Sequence, residues 1–318
     1  ARHPPVSAAA SRLMVNGNEA LALGALAADV RFCAFYPMTP ATSVVLNLVK
    51  YADAMNVVVE QAEDEIAAIN MALGAAFAGC RSMTATSGGG FALMAEGVSL
   101  AAAAELPVVI VIAQRPGPAT GLPTRTEQAD LEMVLHAGHG EYPRAILTPG
   151  SIESCFVLMW RAFMLAEASQ GPVFVLTDQF LADSYRDVSP FNLEDTPFSV
   201  PSTPENVNCP YRPYAITDSG VSPRRRPCAG EDLVIADSHE HSEDGHITED
   251  QAVRTRMVEK RLRKGAVLND AVIPPEYSGS DAPDLLLVSW GSSKGAVAEA
   301  AERLVEKGQS VATLHFDQ

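Results

Sequence analysis

The sequence predicts an α/β protein: a doubly wound, mainly parallel sheet followed by a partial second α/β domain. Short apolar runs rich in β-formers alternate with longer helical stretches over residues 15–187. Most of the runs are apolar on both faces, as strands covered on both sides by helices must be. The alternation stops after residue 187 and returns as one strand–helix–strand unit at 284–318. Strand–helix alternation with these lengths builds parallel sheets through right-handed crossovers.

Strands are expected at 32–36, 57–60, 82–86, 107–113, 145–148 and 172–177. The helix at 18–28 is Ala/Leu-rich. In the helix at 41–54, Thr39 is placed to cap and Pro40 to occupy the first turn. The helix at 63–78 is mostly Ala, Met and Ile and ends at Gly79, a residue that suits a helix C-terminus. Helices at 91–105, 126–136 and 152–169 complete this region.

Residues 1–14 read as a linker-like start, since they lack the apolar core of a signal peptide. Residues 188–283 read as an extended connection with a charged helix. Within it, Arg224, Arg225 and Arg226 are expected on a solvated surface. The segment 239–250 (HEHSEDGHITED) mixes His with acids, but no H-x-x-x-H or H-E-x-x-H helix is present. It is therefore expected to be an acidic loop capping a helix at 249–264, basic towards its C-terminal end. Strands at 284–289 and 310–316 flank a helix at 294–307 and start the second domain. A single crossover unit leaves a sheet face and edge uncovered, so more chain or a neighbour is expected to complete it.

Hydrophobic residues make up 47% of the chain and charged residues 19%, which predicts a well-filled core. A net charge of -16 repels phosphate surfaces and argues against nucleic acid or an anionic membrane as partner. No apolar run approaches the ~20 residues of a membrane span. The five cysteines are scattered, without the local spacings of a zinc or iron–sulfur site, and fit a reducing cytoplasm.

Four features carry candidate chemistry. Glu65 stands near the start of an otherwise small, apolar helix. A carboxylate buried there can share a proton with a heterocycle nitrogen, because desolvation raises its pKa. The alternative is that Glu63, Asp64 and Glu65 merely form an acidic first turn. Ser87, Gly88, Gly89 and Gly90 follow a strand and open a helix, either as a ligand-binding loop or as a plain tight turn. Arg115 ends the strand at 107–114, at the carboxyl edge where α/β sheets bind ligands, and can hold a carboxylate in bidentate fashion or form a surface ion pair. Thr39 lies at the same edge, where it can also be only a helix cap.

The ordered motifs YPMTPAT (36–42), EDEIAAINMALGAAFAGCRSMTATSGGG (63–90), AQRPGPATGLPTRTEQADL (113–131) and GPVFVLTDQF (171–180) resemble the α subunit of 2-oxoacid:ferredoxin oxidoreductases. The likeness covers most of 15–185 and resumes at 239–250 and 284–318; the RPGPATGLPT stretch looks most like the 2-oxoglutarate branch. The resemblance implies that 15–187 is a thiamin diphosphate pyrimidine-binding domain and that 284–318 begins a transketolase C-terminal-like domain. It gives Glu65 the hydrogen bond to the aminopyrimidine, places Ser87 and Gly88 beside that ring, and assigns Thr39 and Arg115 to the substrate's carboxylate and 2-oxo group.

The implied reaction is oxidative decarboxylation of a 2-oxoacid, with the acyl group passed to coenzyme A and electrons to ferredoxin. A separate β subunit is implied to carry magnesium, the cofactor's diphosphate and a 4Fe-4S cluster, in a heterodimer or a dimer of heterodimers. The chain alone is then expected to be inactive. Two alternatives are a non-catalytic assembly subunit of the same fold and a different thiamin diphosphate enzyme. Retention of Thr39, Glu65 and Arg115 speaks against the first, and the Pro-Gly-Pro-Ala-Thr-Gly stretch against the second.

Overall fold

A computed structural model describes residues 11–192 and 210–318. In chain order the elements begin β1 (Leu13–Asn16), α1 (Gly17–Ala27), β2 (Phe32–Phe35), α2 (Thr42–Val49), α3 (Ala52–Met55), β3 (Val58–Gln61) and α4 (Glu65–Phe77). They continue with β4 (Ser82–Thr86), α5 (Gly88–Leu93), α6 (Ala95–Ala103), β5 (Val108–Gln114), α7 (Leu131–His136), β6 (Ala145–Leu147) and α8 (Ile152–Ser169). β7 (Pro172–Asp178), α9 (Gln179–Asp183), β8 (Tyr185–Val188), α10 (Gln251–Asp270), β9 (Glu276–Gly279), β10 (Leu285–Trp290), α11 (Lys294–Glu306) and β11 (Val311–Phe316) follow.

The fold is α/β, with a six-stranded parallel sheet in the order β3-β2-β4-β5-β7-β6. Every residue of β5 and β7 is buried, so alternate side chains feed two separate cores. Val109 and Val111 pack with α1 and α8 on one face, while Ile110 and Ile112 pack with α4 and α6 on the other. Each such side chain contributes about 1.5–3 kcal/mol by leaving water. From β2 the chain crosses outward to β3, then returns past β2 to β4 and runs on in the opposite direction. The carboxyl ends of β2 and β4 therefore flank a topological switch point, the usual ligand crevice of an open α/β sheet.

A smaller sheet holds β10, β11 and β9, with β10 and β11 parallel and β9 antiparallel to β11. It is joined to the main sheet at several points. The Thr148 hydroxyl donates to the Phe316 carbonyl at 2.9 Å, and the Gln128 amide to the Trp290 carbonyl at 3.0 Å.

Several elements differ from expectation. The stretch 41–54 is two helices, α2 and α3, and α2 is capped by Ala41 without a side-chain hydrogen bond. The residue before a proline is steered out of the helical region, so the helix begins past Pro40 and Thr39 does not cap it. The stretch 91–105 is likewise split, at Met94, and begins earlier at Gly88. The helix expected at 126–136 shrinks to α7, because residues 116–130 are loop. β1 and β8, an antiparallel pair of four residues each, are too short to show a period in the sequence.

The connection is also less exposed than its composition suggests. Arg224 donates to the Ala76 carbonyl and pairs with Glu167, and Arg225 pairs with Asp232 and lies over the Tyr211 ring. These arginines dock the connection rather than solvate it; Arg226, which is exposed, fits the expectation. α10 runs on to Asp270 with no base in its last turn, so the expected basic C-terminal end is not there. Its Lys260 and Lys264 turn inward onto the buried Glu105, at 2.6 and 2.5 Å. The two ammoniums pull the Glu105 carboxyl below its ordinary range, against the effect of burial. Asp250 caps α10 by accepting from the N–H groups of Ala252 and Val253.

Candidate active site

The acidic turn at 63–65 divides its labour. Asp64 is the N-cap of α4 and accepts from the Ala67 N–H at 2.7 Å. That leaves Glu65 free of capping, and its side chain turns inward until only 3% of the residue is exposed. Its Oε1 is buried without a hydrogen-bond partner among the described residues. Burial raises the Glu65 pKa first and the neighbouring Asp64 adds to the rise, while its own backbone N–H and the Arg115 charge oppose it. Such a carboxyl can keep or share a proton where an exposed glutamate is fully ionised.

The loop after β4 faces this carboxyl. A Cβ on Gly90 would overlap both Glu65 Oε1 and Thr86 Oγ1, and a Cβ on Gly88 would overlap the Asp130 carboxylate. Gly89 has room, with only the Ala119 carbonyl at 3.5 Å. The glycines at 88 and 90 are thus the space into which two carboxyl groups fit.

Thr39, Ser87 and Arg115 meet across the switch point. The Ser87 hydroxyl donates to the Thr39 carbonyl at 2.9 Å, and the Arg115 guanidinium donates to the same oxygen at 2.6 Å. Arg115 is 9% exposed, and its charge reaches both Glu65 and Asp130. It is therefore held at the edge of the crevice and is not a surface ion pair. The Thr39 side chain lies at the exposed lip, without a side-chain hydrogen bond among the described residues.

The structure brings Thr39, Glu65, Ser87, Gly88 and Arg115 to one crevice and adds residues that sequence reasoning missed. Gln114, fully buried, donates to the Thr177 carbonyl at 3.2 Å and accepts from the Asp130 N–H at 2.9 Å. Asp178 accepts from the Thr126 hydroxyl at 3.2 Å. With Gln128 on Trp290, these bonds pin the loop from Arg115 to Asp130 over the strand ends. Consecutive polar residues, Gln114 and Arg115, at the end of the apolar strand β5, and an acid before α7, are the available signals.

A buried carboxyl and a glycine turn at the switch point of a parallel sheet define a ligand-binding chain of the doubly wound class. Residues 23–260 match the family described as "Pyruvate flavodoxin/ferredoxin oxidoreductase, thiamine diP-bdg". The chain is 39% identical over 316 residues to 2-oxoacid:ferredoxin oxidoreductase 1, subunit alpha, of Sulfurisphaera tokodaii, covering 94% of this chain and 50% of that one. It is 33% identical to 2-oxoglutarate synthase subunit KorA of Methanothermobacter marburgensis, covering 92% of this chain and 78% of that one. Among solved structures it resembles a 2-oxoglutarate:ferredoxin oxidoreductase from Magnetococcus marinus, with 2-oxoglutarate, coenzyme A and succinyl-CoA bound. That likeness has a TM-score of 0.92 at 36% identity and covers 97% of this chain and 54% of that one. The chain belongs to the thiamin-diphosphate-binding α-subunit family of 2-oxoacid:ferredoxin oxidoreductases. It spans about half the length of the Sulfurisphaera relative.

Proposed function

We propose that this chain is the α subunit of a cytoplasmic 2-oxoacid:ferredoxin oxidoreductase that converts 2-oxoglutarate to succinyl-CoA. The observation that carries this reading is the sequestered carboxyl of Glu65, whose Oε1 lies buried without a partner at the switch-point crevice. An oxygen so placed fits the ring nitrogen of an aminopyrimidine, which can give or accept the shared proton. When bound, thiamin diphosphate supplies the carbanion chemistry by which a 2-oxoacid loses carbon dioxide.

Glu65 holds the proton at Oε1 and Ser87 and Gly88 line the ring's place. Arg115 receives the oxoacid's carboxylate, since a guanidinium matches that group in charge and fork geometry. The Thr39 hydroxyl, free of capping, hydrogen-bonds the 2-oxo group. Residues 15–187 form the pyrimidine side, 188–283, of which 193–209 lie outside the described residues, the connection, and 284–318 the start of the transketolase C-terminal-like domain. Among the described residues no group of three or more His, Cys, Asp or Glu could hold a metal ion, and no helix is long and apolar enough to cross a membrane. Magnesium, the cofactor's diphosphate and the 4Fe-4S cluster are assigned to a β subunit, and ferredoxin is the electron acceptor.

The test is co-expression with the product of the neighbouring gene. The purified complex is assayed for viologen reduction with 2-oxoglutarate, pyruvate and branched 2-oxoacids, each with coenzyme A. Fastest reduction with 2-oxoglutarate is expected. Faster turnover of pyruvate would move the substrate assignment, and no reduction with any 2-oxoacid would overturn the activity.

A further inference from the structure

Asp130 occupies an N-cap position yet does not cap: its side chain makes no hydrogen bond to the first turn of α7. An aspartate at an N-cap ordinarily accepts from the second or third N–H of its helix. Here the backbone is held instead, by Gln114 Oε1 on the Asp130 N–H at 2.9 Å, and Gln114 is locked to the Thr177 carbonyl. The carboxylate points the other way, into the space that a Cβ on Gly88 would need. Its Oδ2 is buried and has no hydrogen-bond partner among the described residues.

The charges around this group are Glu127 on its own loop and Arg115 at the end of β5. The loop after β4 presents Ser87 and three glycines and adds no titratable group; Glu65 lies beyond it, at Gly90. Arg115 acts electrostatically on both the buried Glu65 and the partly buried Asp130, without an ion pair to either among the described residues.

We propose that Asp130 is a positioning residue of this site, a counter-charge for Arg115 that competes with the incoming oxoacid carboxylate, so that oxoacid binding draws one proton from solvent onto Asp130. The inference rests on the reading of Arg115 as the oxoacid-binding cation. The chemistry is a charge balance. With the Glu65 proton engaged at the ring, one guanidinium is left to offset both Asp130 and a substrate carboxylate, so Asp130, whose unpartnered Oδ2 is buried, takes up a proton. The proton returns to solvent when the site empties.

Asp130→Asn keeps the shape and the backbone bond to Gln114 while removing the charge. In the assembled complex, with the oxoacid it turns over fastest, this variant is expected to lower KM on the order of fivefold near neutral pH, as removal of a nearby like charge does. kcat should change little. Wild-type KM should fall towards the variant's value as the pH is lowered, because protonation removes the same charge. A residue that serves only as structure would not flatten the pH profile of KM.

Titration calorimetry of the wild-type complex with the corresponding 2-hydroxyacid, in buffers of different ionisation heat, reads proton uptake directly and needs no variant. Uptake of a proton, lost in Asp130→Asn, is the expected result. No uptake, or an unchanged KM profile in the variant, overturns this inference while leaving the oxidoreductase reading intact. A wild-type complex that turns over no 2-oxoacid overturns both.

Discussion

At the scale of single residues, the fate of three neighbouring acids decides what the site can do. Glu63 faces solvent, Asp64 caps, and Glu65 is buried. The sequence alone left open whether all three were a solvated first turn, because burial depends on which neighbours close over the helix start. Those neighbours, Gly90 and Thr86, lie more than twenty residues further along the chain. A buried carboxyl of this kind has a stability signature. Its folded pKa is raised above the unfolded value, so it carries no penalty below the unfolded pKa; the penalty grows as pH rises through the folded pKa and is complete above it. Glu65→Gln should therefore raise the melting temperature of the chain free of thiamin diphosphate near neutral pH, and the gain should vanish at about pH 4. Thermal denaturation of both proteins across that range checks this; a gain independent of pH would contradict a buried, ionisable Glu65.

At the scale of elements, the turn between β4 and α5 is where sequence and site are most tightly joined. Three glycines in a row suggested close approach by something, and the structure shows what approaches: carboxyl groups at 88 and 90, and open space at 89. Gly90→Ala is expected to push Glu65 or Thr86 aside, lowering both melting temperature and oxidoreductase activity. Gly89→Ala, exposed and inside α5, should leave the melting temperature unchanged or raise it, since alanine in place of a helical glycine is worth roughly 0.5–1 kcal/mol. Equal losses in the two variants would show that the glycines serve backbone freedom rather than space. The long strands and α8 were legible because their apolar patterns are strong; α8 runs at the expected 152–169. The loop before α7 was not, since Gln114, Thr126, Gln128 and Asp130 hold it through contacts distant in sequence.

At the scale of the whole molecule, strand order explains why residues so far apart in the chain form one crevice. Thr39 follows β2, Glu65 follows β3, Ser87 follows β4 and Arg115 follows β5, all at the carboxyl edge of a parallel sheet. Alternation of strands and helices made that edge predictable, and the motifs carried by those four loops made the family recognisable. The docking of the connection was not predictable, because Glu105 lies some 155 residues before Lys260 and nothing in their local sequences pairs them until the fold buries them together. In the proposed mechanism Glu65 is the group that activates the cofactor. The most direct measurement is hydrogen–deuterium exchange at the thiazolium C2 of thiamin diphosphate, followed by NMR in the complex with the β subunit. Glu65→Gln should slow that exchange by about 10²–10⁴-fold, the range of positioned acid–base catalysis. Exchange as fast in the variant as in the wild type would contradict it.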